Sequence, residues 1–155
     1  MKTPGGNDAW RIFTWWGCFL LLGLFGIARA AEPEMRVSPK KVREEVQATV
    51  ETQLNALRAG NFEQAYELAS AGIKAQFDVR LYAELIRRGY PVLLQANEAE
   101  LGIVRDKNEA FAQVRVTILD RQKRATVYSY SLVKEKAGWR INGLVLEQRQ
   151  ARGDT

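Results

Sequence analysis

The sequence has no histidine in its 155 residues and a single cysteine, Cys18. The absence of histidine excludes a histidine general base, a serine-histidine triad and imidazole metal sites. Cys18 lies in the apolar N-terminal stretch, so residues 31–155 contain no thiol. Disulfides, thiolate nucleophiles and cysteine metal sites are therefore excluded from that region. No metal ion and no cofactor are predicted.

The N-terminal 30 residues have the three parts of a secretory signal peptide. Lys2 supplies positive charge, Ile12–Ile27 is an uncharged apolar run, and Ala28-Arg29-Ala30 is a small-x-small site. This pattern predicts cleavage between Ala30 and Ala31. The alternative is a retained anchor, but a run of 16 residues is shorter than the roughly 20 that a spanning helix needs. We expect an exported protein, periplasmic or secreted, that meets a membrane only through this segment before cleavage.

The remaining chain is mildly basic. Residues 1–30 hold Lys2, Arg11, Arg29 and Asp8, which leaves 20 basic and 17 acidic residues in 31–155. A chain of this length can bury one core without disulfides, so one domain is expected. Because the basic residues form no dense patch, nucleic acid is not a predicted partner.

The predicted organisation after the signal peptide (1–30) has three parts. Residues 31–37 lack any periodicity and are predicted to be a flexible lead, 38–147 are predicted to form the folded domain, and the polar 148–155 are predicted to be a flexible tail. No internal repeat interrupts this order.

Three helices are predicted first. Ser38-Pro39 is typical of a helix start, with Ser38 as the capping residue, and an apolar stripe follows as far as Gly60. Asn61 caps a second helix, and Asp78 opens a third that ends at Gly89-Tyr90-Pro91.

Alternating patterns follow from about residue 97 and predict strands over Glu100–Val104, Glu109–Leu119, Ala125–Val133 and Gly138–Leu146. The polar residues Arg105–Asn108 between the first two strands predict a turn. The connections after the second and third strands are too short for a crossover helix, so the strands must run antiparallel. Helices grouped before strands predict an α+β fold, with the three helices packed on a curved, cone-like antiparallel sheet of about four strands.

Both faces of the last strand carry apolar residues. Simple alternation places Trp139, Ile141, Gly143 and Val145 on one face and Leu144 and Leu146 on the other. The second face, shared with Phe111 and Leu119, is unusually apolar for a solvated surface. It is interpreted as a homodimer or partner interface, or as a face covered by the lead or the tail.

Several short motifs together resemble a known family. They are Gln53-x-x-Ala56-Leu57-x-x-Gly60-x-Phe62-x-x-Ala65-Tyr66, Tyr82-x-x-Leu85-Ile86-x-x-Gly89-Tyr90-Pro91, Tyr130-x-Leu132, and Gly138-Trp139-Arg140-Ile141-Asn142-Gly143. The set is similar to the bacterial domain of unknown function 4864 family, over most of residues 40–147. That resemblance implies a fold like the nuclear transport factor 2-like, cystatin-like cone, in which helices and a bent sheet enclose a pocket. It implies export but no assigned activity.

Aromatic residues are the candidate ligand-binding groups. They could line one cavity between the helices and the sheet, with apolar walls and a few hydroxyl groups for a small ligand. Ordinary core packing is the competing interpretation. The six candidates are Tyr66, Tyr82, Tyr90, Tyr128, Tyr130 and Trp139.

No catalytic residue is predicted, because the carboxylates fall at strand ends, in connections or on solvated helix faces. The favoured function is a non-catalytic exported module that binds a small apolar or amphipathic ligand or a protein partner. One alternative is a pocket enzyme that uses a tyrosine or a helix carboxylate such as Glu84. The other is a structural dimer of the cell envelope.

Overall fold

A computed structural model describes residues 34–149. The predicted signal peptide and its cleavage site at Ala30 and Ala31 lie outside the described residues. All described residues belong to one unit, residues 31–155, in which helices cover one face of a six-stranded antiparallel sheet. The α+β prediction is confirmed at this level.

Among residues 34–149, five helices lie between Val37 and Glu98, rather than the predicted three. The long α1 spans Lys40–Arg58 and buries the stripe that includes Val46, Val50 and Leu54. The others are α2 (Phe62–Glu67), α3 (Ala71–Gln76), α4 (Val79–Gly89) and α5 (Pro91–Leu94). The two extra helices are short: α3 begins at the cap Ser70, and α5 has proline in its first turn.

The sheet has the predicted meander at its centre. The strands β4 (Phe111–Leu119), β5 (Ala125–Glu135) and β6 (Gly138–Arg149) pair consecutively and antiparallel. Their alternating inward residues, such as Val114, Ile118 and Leu132, form the core with the helices. Gly138 adopts a positive φ of 112° in the turn into β6, where residues other than glycine are rare.

The edge of the sheet beside β4 is one interrupted strand. Its parts are β2 (Glu98–Leu101) and β3 (Arg105–Lys107), which both pair with β4. The backbone N–H of Gly102, in the bend between them, donates to the Arg115 carbonyl over 2.8 Å. The sequence prediction of a turn at 105–108 is therefore wrong for Arg105–Lys107.

Strand residues lie outside both predicted boundaries of the folded domain. Arg36–Val37 form β1, which pairs with β3, so these two residues are not a flexible lead. At the other end, β6 continues to Arg149, two residues beyond the predicted domain boundary. Ser38 also departs from its predicted role: the residue at the cap position of α1 is Pro39, and the buried Ser38 binds the Val104 carbonyl through its backbone N–H.

A bulge in β6 changes which side chains face the helices. Leu132 pairs with Ile141 but Ser131 pairs with Gly143, so Asn142 is an extra residue in β6. Alternation reverses beyond a one-residue bulge. As a result, Leu144 lies opposite buried Tyr130 and packs on the core, whereas Val145 is 63% exposed.

The predicted apolar outer face is corrected accordingly. Leu144 and Leu146 lie opposite Tyr130 and Tyr128, on the helix-facing side, so they contribute nothing to the outer surface. Phe111 and Leu119 do lie on the outer side and are half-buried there. Dimerisation through this face stays a prediction, with a smaller apolar surface than the sequence indicated.

Candidate functional site

A cavity of about 240 Å³ lies between the helices and β6. The strand side is formed by Ile141, Asn142, Gly143 and Leu144, around the bulge. The helix side is mostly apolar and includes Ile73, Phe77, Leu85 and Ile86. None of its lining residues is charged; besides Asn142, its polar side chains belong to Gln53, Gln76, Tyr82 and Tyr90.

Backbone hydrogen bonds from the α2–α3 connection hold this wall in place. The Ile141 N–H donates to the Leu68 carbonyl, and the Ser70 N–H donates to the Ile141 carbonyl, each over 2.8 Å. This pairing occupies the free edge of β6 just before the bulge at Asn142. It also fixes the start of α3 beside the strand, which brings Ile73 to the cavity.

Gln53 and Tyr82 supply a buried polar contact at the cavity. The Gln53 side-chain amide donates to the Tyr82 hydroxyl over 3.1 Å, and both residues are buried. Burial raises the pKa of Tyr82 to about 12, although the hydrogen bond from Gln53 acts in the opposite direction. Tyr82 is therefore protonated at neutral pH, so its hydroxyl keeps a proton that it can donate and is not a base.

Asn142 carries a second polar group with a fixed orientation. The Ser70 hydroxyl oxygen accepts the Ile73 N–H as the cap of α3, over 3.2 Å. Its proton is donated to Asn142 Oδ1 over 2.8 Å. This leaves the amide nitrogen of Asn142 as the donor group of the side chain.

The structure brings the five predicted tyrosines together but not all at the cavity surface. The rings of Tyr66 and Tyr82 are 5.4 Å apart, and those of Tyr90 and Tyr128 are 6.0 Å apart, both tilted as aromatic pairs prefer. Tyr130 is fully buried and interacts electrostatically with Tyr82, Tyr90 and Tyr128. Of the five, Tyr82 and Tyr90 line the cavity; the other three pack with them.

Two hydroxyl groups of this cluster stabilise backbone rather than ligand. The Tyr66 hydroxyl donates to the Phe77 carbonyl over 2.6 Å, and the Tyr90 hydroxyl donates to the Leu144 carbonyl over 3.0 Å. The Tyr130 hydroxyl has no hydrogen-bond partner among residues 34–149. Burial raises its pKa further, so it too stays protonated.

Trp139, the sixth candidate, does not line the cavity. It is buried beneath Lys134, whose ammonium nitrogen lies 5.3 Å from the indole ring centre. Lys134 forms an ion pair with Glu45 of α1, and this contact lowers the pKa of the Glu45 carboxyl. Trp139 therefore belongs to the packing of α1 on the sheet, as the competing interpretation held.

An open groove adjoins the cavity. It has a volume of about 610 Å³ and shares Leu85 and Tyr90 with the cavity. Leu81 and Leu146 complete its apolar walls. Glu84 lies at this groove and is exposed, so its carboxylate is solvated and is not the desolvated base that the enzyme alternative required.

Within residues 34–149 there is no group of three or more acidic side chains placed to hold a metal ion. In the same range, no helix has the length and apolar character to cross a membrane.

Most lining residues could not be identified from the sequence. Ile86 and Ile141 have the spacing of ordinary core positions, and Gln53 lies in a helical stripe where only its polarity among apolar residues is a signal. Asn142 and Gly143 read as routine strand residues until the bulge is known.

The family comparison decides the relationship of this chain to known proteins. The model of the family described as "Domain of unknown function (DUF4864)" matches residues 39–153. The chain belongs to the DUF4864 family. The resemblance that the sequence motifs indicated is thus confirmed, while no curated protein matches this DUF4864 chain.

One of two similar solved structures supports the fold of this DUF4864 protein. A domain of unknown function with a cystatin-like fold from Nostoc punctiforme is similar at 17% identity and a TM-score of 0.55, covering 74% of this chain and 82% of that one. A protein from Novosphingobium aromaticivorans described as a "putative aromatic ring hydroxylase" matches at 12% identity and a TM-score of 0.47, covering 73% and 96%. The first similarity identifies the cystatin-like fold.

Proposed function

We propose that this DUF4864 protein is an exported, non-catalytic module that binds a small apolar or amphipathic molecule in the cavity between its helices and β6. The observation that carries the proposal is the composition of the cavity. Its walls are apolar, its polar groups are few and uncharged, and no lining residue is ionised. Such concave, mostly apolar sites are typical of small-molecule binding.

The chemistry of the lining argues for binding rather than catalysis. The Tyr82 hydroxyl, with its raised pKa, holds its proton. Glu84 is outside the cavity, in solvent. A buried donor can orient a ligand but supplies no base, so the site is suited to recognition.

Native mass spectrometry of the protein from its producing cells is the first test. We expect the mass of a polypeptide that begins at Ala31. We also expect a second species, in which the same polypeptide retains a small molecule. A mass that includes residues 1–30 would contradict cleavage between Ala30 and Ala31 and would favour the retained anchor.

A cavity-filling variant provides the second test. Ile73→Trp places a large side chain on the half-buried α3 wall of the cavity, and we expect it to remove the retained molecule. Val145→Trp is the matched control, because Val145 is exposed on the opposite face of the sheet. Retention of the same molecule by both folded variants would contradict binding in this cavity.

A further inference from the structure

The groove beside the cavity exposes an unusual amount of apolar surface. Leu81, Leu85 and Leu146 are 47%, 42% and 45% exposed, and all three line the groove. Leu81 and Leu85 belong to α4 and Leu146 belongs to β6. Because all three line the same groove, they form one apolar wall rather than isolated surface leucines. Leu85 and Tyr90 line both the groove and the cavity, so the two apolar surfaces adjoin each other.

The lining of the cavity offers hydrogen-bond donors without a cation. The Tyr82 hydroxyl accepts from Gln53, so its own hydrogen is left to donate. The Asn142 side chain accepts the Ser70 hydroxyl proton at Oδ1, so its amide nitrogen is also left to donate. Two donors of this kind are matched by an acceptor oxygen in the ligand.

The acceptor oxygen should belong to an uncharged group. Burying a carboxylate or phosphate costs a large desolvation free energy unless a cation compensates it. No lysine or arginine lines the cavity. A carbonyl oxygen of an ester, ketone or amide satisfies the donors without that cost.

The cavity is too small to hold an extended ligand alone. Its volume of about 240 Å³ is below the roughly 300–1,000 Å³ that is typical of sites for drug-sized molecules. A longer apolar ligand must therefore extend beyond the cavity, and the adjoining groove, which shares Leu85 and Tyr90 with it, offers an apolar surface for the rest of the chain.

The rim of the groove does not favour an anionic end. Glu84 and Arg88 both line the groove and lie four residues apart on α4. Their opposite charges offset each other, so the rim has no net charge to recruit an anion.

We infer that the protein binds an uncharged carbonyl compound with an aliphatic chain, its carbonyl oxygen accepting from Tyr82 and Asn142 and its chain lying along Leu85, Leu81 and Leu146. This inference rests on the proposed function, since it names the class of ligand for the same cavity. It adds the groove as the chain-binding part of the site.

Four simple probes test the ligand class by NMR titration of backbone amides in the protein as purified. They are methyl octanoate, octanoate, octane and methyl propanoate. We expect methyl octanoate to bind more tightly than each of the others and to shift amides of α4 and β6. Octanoate lacks an uncharged acceptor group, octane lacks any acceptor, and methyl propanoate lacks the chain.

Variants separate the two parts of the site. Tyr82→Phe should weaken methyl octanoate binding about 3- to 10-fold, as expected for one hydrogen bond, and leave octane binding unchanged. Leu81→Gln with Leu146→Gln should weaken methyl octanoate but not methyl propanoate. Val145→Gln, an equivalent change on the opposite face, should alter neither. Because Leu81 and Leu146 are exposed, their replacement keeps the test valid even if Tyr82→Phe does not fold.

Several results would overturn the inference. Tighter binding of octanoate than of its ester, lost in Arg88→Gln, would place an anion at the rim. Equal affinities for methyl octanoate and octane would remove the role of the donors, and equal affinities for the two esters would remove the role of the groove.

If toluene binds the cavity while every chain probe fails, the proposed function stands and the ligand class is wrong. If no probe binds and no molecule is retained from cells, both fail.

Discussion

The side-chain amide of Gln53 donates to the hydroxyl of Tyr82 over 3.1 Å, joining α1 to α4 inside the core. Both residues are buried, so the hydrogen bond gives the Gln53 amide and the Tyr82 hydroxyl the partner that water would otherwise supply. The contact is structural and, through the remaining Tyr82 proton, also available to a ligand.

A double-mutant cycle should detect this contact. Tyr82→Phe leaves the buried Gln53 amide without its partner, and we expect it to lower the free energy of unfolding by about 1–3 kcal/mol. Gln53→Met removes the amide, and the double variant should lose less than the two single variants together. Urea denaturation of the four proteins measures the coupling. A coupling free energy of zero would show that the two groups do not interact in solution.

A second prediction concerns Asp106, a fully buried carboxylate in β3. Burial raises the pKa of its carboxyl, but the Glu109 backbone N–H, the Ser38 hydroxyl and the Arg36 guanidinium outweigh burial and hold the pKa below the ordinary 3.8. A lowered pKa in the folded state means that Asp106 contributes stability above pH 3.8 and loses it as the pH falls through the folded-state value.

We therefore expect Asp106→Asn to lower the free energy of unfolding by about 1.5–3 kcal/mol at neutral pH. The difference from the wild type should shrink as the pH falls below 3.8. Chemical denaturation over a pH series measures it. A difference that is constant with pH would show that the Asp106 carboxylate is not stabilised by these partners.

The turn after β3 provides a third prediction. Asn108 and Glu109 have φ angles of 54° and 55°, and the Ala110 N–H donates to the Lys107 carbonyl over 3.1 Å. Glutamate is unfavourable in this left-handed conformation, which glycine adopts freely. Glu109→Gly should raise the free energy of unfolding by about 0.5–1 kcal/mol. Glu109→Ala, which also removes the ion pair with Arg36 but keeps the strain, should not stabilise the protein.

The reversed alternation of β6 gives the fourth prediction. Leu144→Ala removes a side chain packed on the core, so we expect a loss of about 1.5–3 kcal/mol in the free energy of unfolding. Val145→Ala should cost less than about 0.5 kcal/mol because that side chain is exposed. Thermal or urea denaturation compares the two. The opposite ranking would show that β6 has no bulge at Asn142.

The sequence predicted the elements whose pattern is local. The strand β4 was found within two residues because its alternation runs unbroken from Phe111 to Leu119. Two of the six aromatic candidates, Tyr82 and Tyr90, line the cavity, and ligand binding by them stays a prediction. These signals depend on residue type and spacing alone.

The errors come from contacts between distant residues. The sequence of β3 predicts a turn because aspartate, here Asp106, is typical of turns. The burial of Asp106 depends on Arg36 and Ser38, which lie far away in the chain. The prediction of which face each β6 residue occupies is wrong beyond Ile141. The bulge comes directly after Ile141, whose backbone pairs with Leu68 and Ser70. No local pattern contains that information.

The extra residue in β6 makes the cavity sensitive to chain length as well as to chemistry. Loss of one residue at Asn142 would restore alternation as far as Leu146, turn Leu144 and Leu146 outward and bring Val145 inward. Leu144 and Leu146 would then form an exposed apolar stripe on the outer face of the sheet. A single residue lost from β6 would therefore exchange the apolar lining of the cavity for an outer surface prone to self-association.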